Sequence, residues 1–183
     1  KRIDSTANGN CTSADALDAT QMDVAVVIFG DAGNDTVRGG TANDSLDGGA
    51  GDDVVTGKSG DDIVFGRDGD DRIFGSAGND TLIGGNGADR INGQGGIDLL
   101  IEQIVTPDDV DILLTASQLV VSSDTNQILN LEAARLLGGA GDNRIDAKNF
   151  GFPVTLEGGA GNDVLIGSNR GDLLLGQDGN DKL

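Results

Sequence analysis

Glycine recurs every nine residues, eight times without a gap: Gly30, Gly39, Gly48, Gly57, Gly66, Gly75, Gly84 and Gly93. It returns at the fourth position of each copy as Gly33, Gly51, Gly60, Gly69, Gly78, Gly87 and Gly96, with Ala42 the one departure. Aspartate holds the sixth position throughout, as Asp35, Asp44, Asp53, Asp62, Asp71, Asp80, Asp89 and Asp98. An aliphatic residue holds the eighth: Val37, Leu46, Val55, Val64, Ile73, Leu82, Ile91 and Leu100. So strict a period demands one supersecondary unit repeated. The first six positions carry the Gly, Asn and Asp chemistry of a turn that reaches φ > 0. The last three are extended and bring one apolar side chain inward. Two turns bring the chain back to the same side, so two repeats make one coil. Each strand then lies parallel to the strand one coil away, and the spacing predicts an all-β parallel solenoid.

Such a coil has a thin core, one inward aliphatic side chain per nine residues. It also stacks aspartate on aspartate in a chain of net charge −19. Composition alone, with few aromatics and many acids, favours a disordered linker. The unfailing aliphatic at the eighth position argues for a fold. Something must then neutralise the aspartate columns. Calcium fits, since it takes about 6–8 oxygen ligands in flexible geometry, whereas magnesium demands stricter geometry and keeps its waters.

The repeat resembles the nonapeptide of the RTX (hemolysin-type calcium-binding) family. The resemblance is strong over residues 30–101 and broken over 138–183. It implies a right-handed parallel β-roll, with calcium ions held between turns one coil apart. In that family the earlier turn gives the carbonyls of its second and fourth positions plus its Asp. The later turn gives the carbonyls of its first and third positions plus its Asp. Carried onto this chain, Asp31, Gly33 and Asp35 would face Gly48, Ala50 and Asp53. On the other edge Gly40, Ala42 and Asp44 would face Gly57, Ser59 and Asp62. Next come Gly49, Gly51 and Asp53 with Gly66, Asp68 and Asp71, then Lys58, Gly60 and Asp62 with Gly75, Ala77 and Asp80. Arg67, Gly69 and Asp71 follow with Gly84, Asn86 and Asp89, and Ser76, Gly78 and Asp80 with Gly93, Gly95 and Asp98. In the later block Gly159, Gly161 and Asp163 would face Gly176, Asp178 and Asp181. A residue that gives only its carbonyl tolerates any side chain, which accounts for Lys58 and Arg67. Asp89 and Asp98 lack a regular turn one coil later, so the pattern leaves their upper sites open.

Four segments result. Residues 1–29 form an N-terminal cap or contact segment, with a turn signal at Asn8-Gly9-Asn10, a short helix or loop over 13–20, and a leading strand over 22–29. Residues 30–101 are the eight-repeat roll. Residues 102–137 are an irregular insert, expected to continue the solenoid through glycine-free coils and a bulge. There Pro107 opens a turn, strands fall at 110–114, 118–121 and 128–131, a loop at 122–126, and a helix end or strand at 132–137. Residues 138–183 are a second, degenerate block. In it Asn143 replaces the aspartate, Arg170 replaces a glycine, and residues 147–157 make one glycine-poor side of a coil.

Function classes narrow accordingly. The chain has no histidine, which excludes a His-based triad or zinc site in this sequence. The acidic balance, with pI near 4.1, excludes nucleic acid as an obvious partner. No apolar run is long enough to span a membrane. Cys11 is the only cysteine, so no intrachain disulfide forms; it is a free thiol or pairs with another chain. Asn10-Cys11-Thr12 matches a glycosylation sequon by accident, as do three sequons inside the repeat turns. Arg38, Lys58, Arg67, Arg72 and Arg90 either soften repulsion between sites or are solvated surface. Asp52, Asp61 and Asp70 add outer charge or face solvent. Weak calcium sites fill outside the cell, not in the cytosol. The expectation is a non-enzymatic, calcium-dependent structural module of a secreted bacterial protein, its leader removed or its export signal C-terminal. The alternative is a subunit that stacks end to end with copies of itself in a filament or surface layer, through strand edges left open where the repeat pattern stops.

Overall fold

The computed structural model describes residues 2–4, 13–104 and 108–183, with residues 2–4 described as backbone only. Cys11, its sequon, the turn signal at residues 8–10 and Pro107 lie outside the described residues.

The chain alternates between two sheets. One holds β1 (Arg2–Asp4), β3 (Val27–Phe29), β5 (Ser45–Ala50), β7 (Ile63–Asp68), β9 (Thr81–Asn86), β11 (Leu99–Gln103), β15 (Ala133–Leu137), β17 (Val154–Ala160) and β19 (Leu173–Asp178), in that spatial order. The other holds β2 (Ala16–Asp18), β4 (Thr36–Arg38), β6 (Val54–Ser59), β8 (Arg72–Ala77), β10 (Arg90–Gly95), β12 (Asp111–Thr115), β13 (Gln118–Val121), β14 (Asp124–Leu129), β16 (Arg144–Asn149) and β18 (Val164–Ile166). Through the repeats each strand pairs in parallel with the strand two elements on, so Leu46 aligns with Val64 and Val64 with Leu82. The result is an all-β solenoid, with no helix among the described residues.

The eighth-position side chains face inward as the period requires. Val37, Leu46, Val55, Val64, Ile73, Leu82 and Leu100 are completely buried, and Ile91 nearly so. They form two facing rows that run the length of the first array. At roughly 1.5–3 kcal/mol each for full burial, such rows are modest for the number of residues they order.

The departures lie outside the regular array. Residues 13–20 contain a strand, β2, because Leu17 falls in register with Val37 and extends the row one coil further. The leading strand is shorter than its apolar run: only Val27–Phe29 pairs, since the Val26 N–H donates to the Asp44 side chain instead of a ladder carbonyl. In the insert, β12 leaves room for two strands beside β10, and the chain turns back to fill it. Strand β13 runs antiparallel to both β12 and β14, and β14 then pairs in parallel with β10. The expected loop at 122–126 shrinks to the two residues Ser122 and Ser123, with φ of 55° at Ser122, because Asp124–Asn126 pair with β13. Residues 133–137 are strand, not helix. The expected bulge is a register shift between Leu113 and Thr115, where β12 meets β16. Residues 147–157 are not one side of a coil. They run from the end of β16, around a corner at Phe150 and Phe152, into β17; those two rings meet edge to face at 5.9 Å.

Candidate metal sites

Every turn of the first array except one has the same backbone. The second position takes left-handed φ whatever its side chain: Asp31 at 68°, Lys58 at 87°, Arg67 at 92°, Ser76 at 88° and Gln94 at 72°. The fourth position is a glycine with φ between 111° and 145°. Non-glycine residues so placed carry strain of about 1–3 kcal/mol each, and such strain collects at functional sites. The exception is the turn at residues 39–44. Neither Gly40 nor Ala42 appears there with positive φ, and the Gly40 N–H donates to Asp44 Oδ2 at 2.7 Å. Ala42 is the cause, since a Cβ at the fourth position resists the conformation the other turns adopt.

The sixth-position aspartates form two buried ladders, one along each edge. Each backbone N–H donates to Oδ1 of the aspartate one coil later: Asp35 to Asp53 at 2.7 Å, Asp53 to Asp71 at 2.8 Å and Asp71 to Asp89 at 2.9 Å on one edge. On the other, Asp44 donates to Asp62, Asp62 to Asp80 and Asp80 to Asp98 at 2.7–2.9 Å. The second oxygen is left over. Oδ2 of Asp35, Asp53, Asp62, Asp71, Asp80, Asp89, Asp98 and Asp163 is buried without a hydrogen-bond partner. Burial pushes the carboxyls of Asp62 and Asp71 up to about 7 and those of Asp53 and Asp89 up to about 6, with neighbouring aspartates adding to the rise. Asp35, Asp80, Asp98 and Asp163 are raised as well, burial again the largest cause. A carboxylate this buried needs a partner or a proton.

Except at Asp89, each leftover oxygen points to a place where a further oxygen arrives. Over the first glycine of a turn, its own Asp Oδ2 converges with the first-position carbonyl of the turn one coil later. At Gly30 these are Asp35 Oδ2 and the Gly48 carbonyl; at Gly57, Asp62 Oδ2 and the Gly75 carbonyl. The same pairs meet at Gly48, Gly66 and Gly75, and in the later block at Gly158, where Asp163 Oδ2 meets the Gly176 carbonyl. A Cβ on any of these glycines would occupy that place, which explains why the first position is invariant within this chain. Among the described residues no group of three acidic side chains forms a metal-binding cluster. A cation here would be held by two carboxylates and turn carbonyls, a donor set of hard oxygens that suits calcium. Of the residues named from the sequence, this arrangement brings together the Asp of each earlier turn and the first-position glycine carbonyl of the later turn; the Asp31 and Ala50 carbonyls accept from the Ala50 and Gly33 N–H groups.

Three features escaped the sequence reading. The fifth-position side chains build an outer ladder in the opposite direction: the Asp52 N–H donates to Asn34 Oδ1, Asp70 to Asp52, Asn79 to Asp61 and Ala88 to Asp70, at 2.8–3.1 Å. The signal is the run of Asn or Asp at that position. Arg67 makes a paired contact with Asp47, Nη2 to Oδ2 at 2.7 Å, and lies 4.6 Å over the Phe65 ring. Asn143 keeps its ladder role, accepting from the Val110 N–H at 3.2 Å, but its amide nitrogen donates to the Gly141 carbonyl at 2.7 Å. It thus fills with N–H the place where the other turns gather oxygens.

No curated protein matches this chain significantly. The family model described as "RTX calcium-binding nonapeptide repeat (4 copies)" matches residues 29–64, 65–100 and 155–183, more than half of the chain. Nine-residue turns that leave buried carboxylate oxygens over cradles only glycine can line are what that repeat would require, and this chain belongs to the RTX calcium-binding nonapeptide repeat family.

Proposed function

We propose that the chain is a calcium-dependent structural module of an exported bacterial protein, which folds on meeting extracellular calcium and serves as a rigid acidic rod. The observation that carries this reading is the column of buried, unpartnered Oδ2 atoms along both edges. Without a cation they oppose folding; with one between each pair of turns they hold successive coils together. Asp31, Gly33 and Asp35 with Gly48, Ala50 and Asp53 hold the first ion, and the turn pairs that follow repeat the set up to Asp98. Gly159, Gly161 and Asp163 with Gly176, Asp178 and Asp181 hold another. The pair that includes Gly40, Ala42 and Asp44 is the weakest, because Asp44 Oδ2 already accepts from Gly40. The chain's own part is to aim carbonyls and carboxylates; calcium supplies the positive charge. A non-catalytic role agrees with a sequence without histidine, whose sixth-position aspartates in the first array are engaged in the ladders. Export agrees with a fold that depends on calcium, since cytosolic calcium is too low to fill weak sites of this kind.

Far-ultraviolet circular dichroism tests the reading. Strand signal is expected to appear on adding calcium to the chelator-treated chain, and equal magnesium is expected to do much less. A fold indifferent to chelator would end the proposal.

A further inference from the structure

We infer that the loop at residues 130–132 completes an additional calcium site on top of the last repeat turn, with the Asn130 carbonyl and the Glu132 carboxylate closing over Asp98. The inference rests on the calcium reading above, and its closing residues, Asn130 and Glu132, lie outside the nine-residue pattern and beyond the family match, which stops at residue 100 before resuming at 155.

The lower half of the site is already formed. Gln94 and Gly96 have φ of 72° and 145°, the backbone of the second and fourth positions elsewhere. Asp98 is completely buried and its Oδ2 has no partner. The upper half reproduces a repeat turn from unrelated sequence. In the regular pairs a first-position carbonyl from the next coil meets Asp Oδ2 over the first glycine. Over Gly93 the Asn130 carbonyl and Asp98 Oδ2 meet in the same way. In the regular ladder an Asp N–H donates to a carboxylate oxygen one coil later. The Asp98 N–H donates to Glu132 Oε2 at 3.0 Å. The main chain follows too: the Ala133 N–H donates to the Asp98 carbonyl at 3.1 Å, as Val54 does to Asp35 at 2.9 Å.

The substitution of glutamate for aspartate has a geometric reason. In a repeat the first glycine and the aspartate are five residues apart; here Asn130 and Glu132 are two apart. The shorter backbone path is offset by one more methylene in the side chain. The upper turn supplies fewer carbonyls than a repeat turn, so waters complete the shell and the site binds more weakly than its neighbours.

The opposite edge ends differently. The Asp89 N–H donates to Asn126 Oδ1 at 2.7 Å, a neutral amide. Over Gly84 the nearest atoms are Asp89 Oδ2 and Ile91 Cδ1, with no carbonyl from the next coil among them. One edge of the array therefore closes on an amide, and the other stays acidic and oxygen-rich. An ion at the acidic edge would pin the insert, through the link between β14 and β15, to the last regular turn.

Native mass spectrometry of the calcium-loaded chain counts the ions. Glu132→Gln keeps an oxygen to accept the Asp98 N–H but removes the charge. The expected result is one calcium fewer than the unaltered chain, with strand signal retained. An unchanged count overturns the inference while leaving the functional reading intact. An unaltered chain that binds no calcium overturns both. Should the variant fail to fold, a crystal structure of the unaltered chain with calcium decides. An ion at roughly 2.3–2.6 Å from the Asn130 carbonyl and Glu132 upholds the site; ordered water there refutes it.

Discussion

Replacing Asp71 with asparagine should change stability in opposite directions with and without calcium. Asp71 is central in its ladder: Oδ1 accepts from Asp53 at 2.8 Å, its N–H donates to Asp89 at 2.9 Å, and Oδ2 has no partner. Asparagine keeps both ladder hydrogen bonds and turns the orphan oxygen into a donor. Asn143 shows where that donor goes, to the carbonyl two residues earlier at 2.7 Å; at position 71 the equivalent is the Gly69 carbonyl. Satisfying a buried group that otherwise lacks a partner is worth about 1–3 kcal/mol to the calcium-free coil. Asp71 also belongs to two proposed ion sites, one shared with Asp53 and one with Asp89. At free calcium a hundredfold above the dissociation constant, each ion adds about 2.7 kcal/mol, so losing both costs about 5 kcal/mol and outweighs the gain. Denaturant unfolding in saturating calcium and in chelator measures both arms. Where the calcium-free chain is unfolded, an osmolyte titration brings its transition into range. A variant destabilised equally in both conditions would refute the idea that Oδ2 awaits a cation.

The converse change, Asn143→Asp, should add one calcium to the count from native mass spectrometry and make the turn at residues 138–143 sensitive to chelator, since the Gly158 carbonyl already lies over Gly138. An unchanged count would mean the later block lacks another oxygen. Acidity offers a further check. The carboxyls of Asp53, Asp62, Asp71 and Asp89 are raised by burial from 3.8 to about 6–7, so the calcium-free coil holds more protons than the unfolded chain. Their contribution to stability is fully present below about pH 4 and is lost as pH rises through 6–7. Strand signal in metal-free buffer should therefore fall from acid to neutral pH, while the calcium-induced signal grows over the same range as the ligands lose their protons. Strand signal that rises with pH in metal-free buffer would contradict this.

The sequence by itself determined the coil. A nine-residue period with glycine at the first position, aspartate at the sixth and an aliphatic at the eighth leaves one way to bury Val64 and Leu82 and one side on which Asp62 and Asp80 can stack. Local turn chemistry and side-chain alternation are short-range effects, so they are written in short-range spacing. The segments without the period were read less well for the same reason. Nothing near Leu17 shows that it joins the row of Val37, and nothing near Gln118 shows that its strand runs antiparallel between β12 and β14; both depend on strands far away in the chain. Tertiary structure alone decided that Glu132 meets the Asp98 N–H across 34 residues and that Asn126 closes the opposite ladder across 37. Such contacts are fixed by which backbone groups remain unpaired when the regular coils end, and a linear pattern carries no record of that.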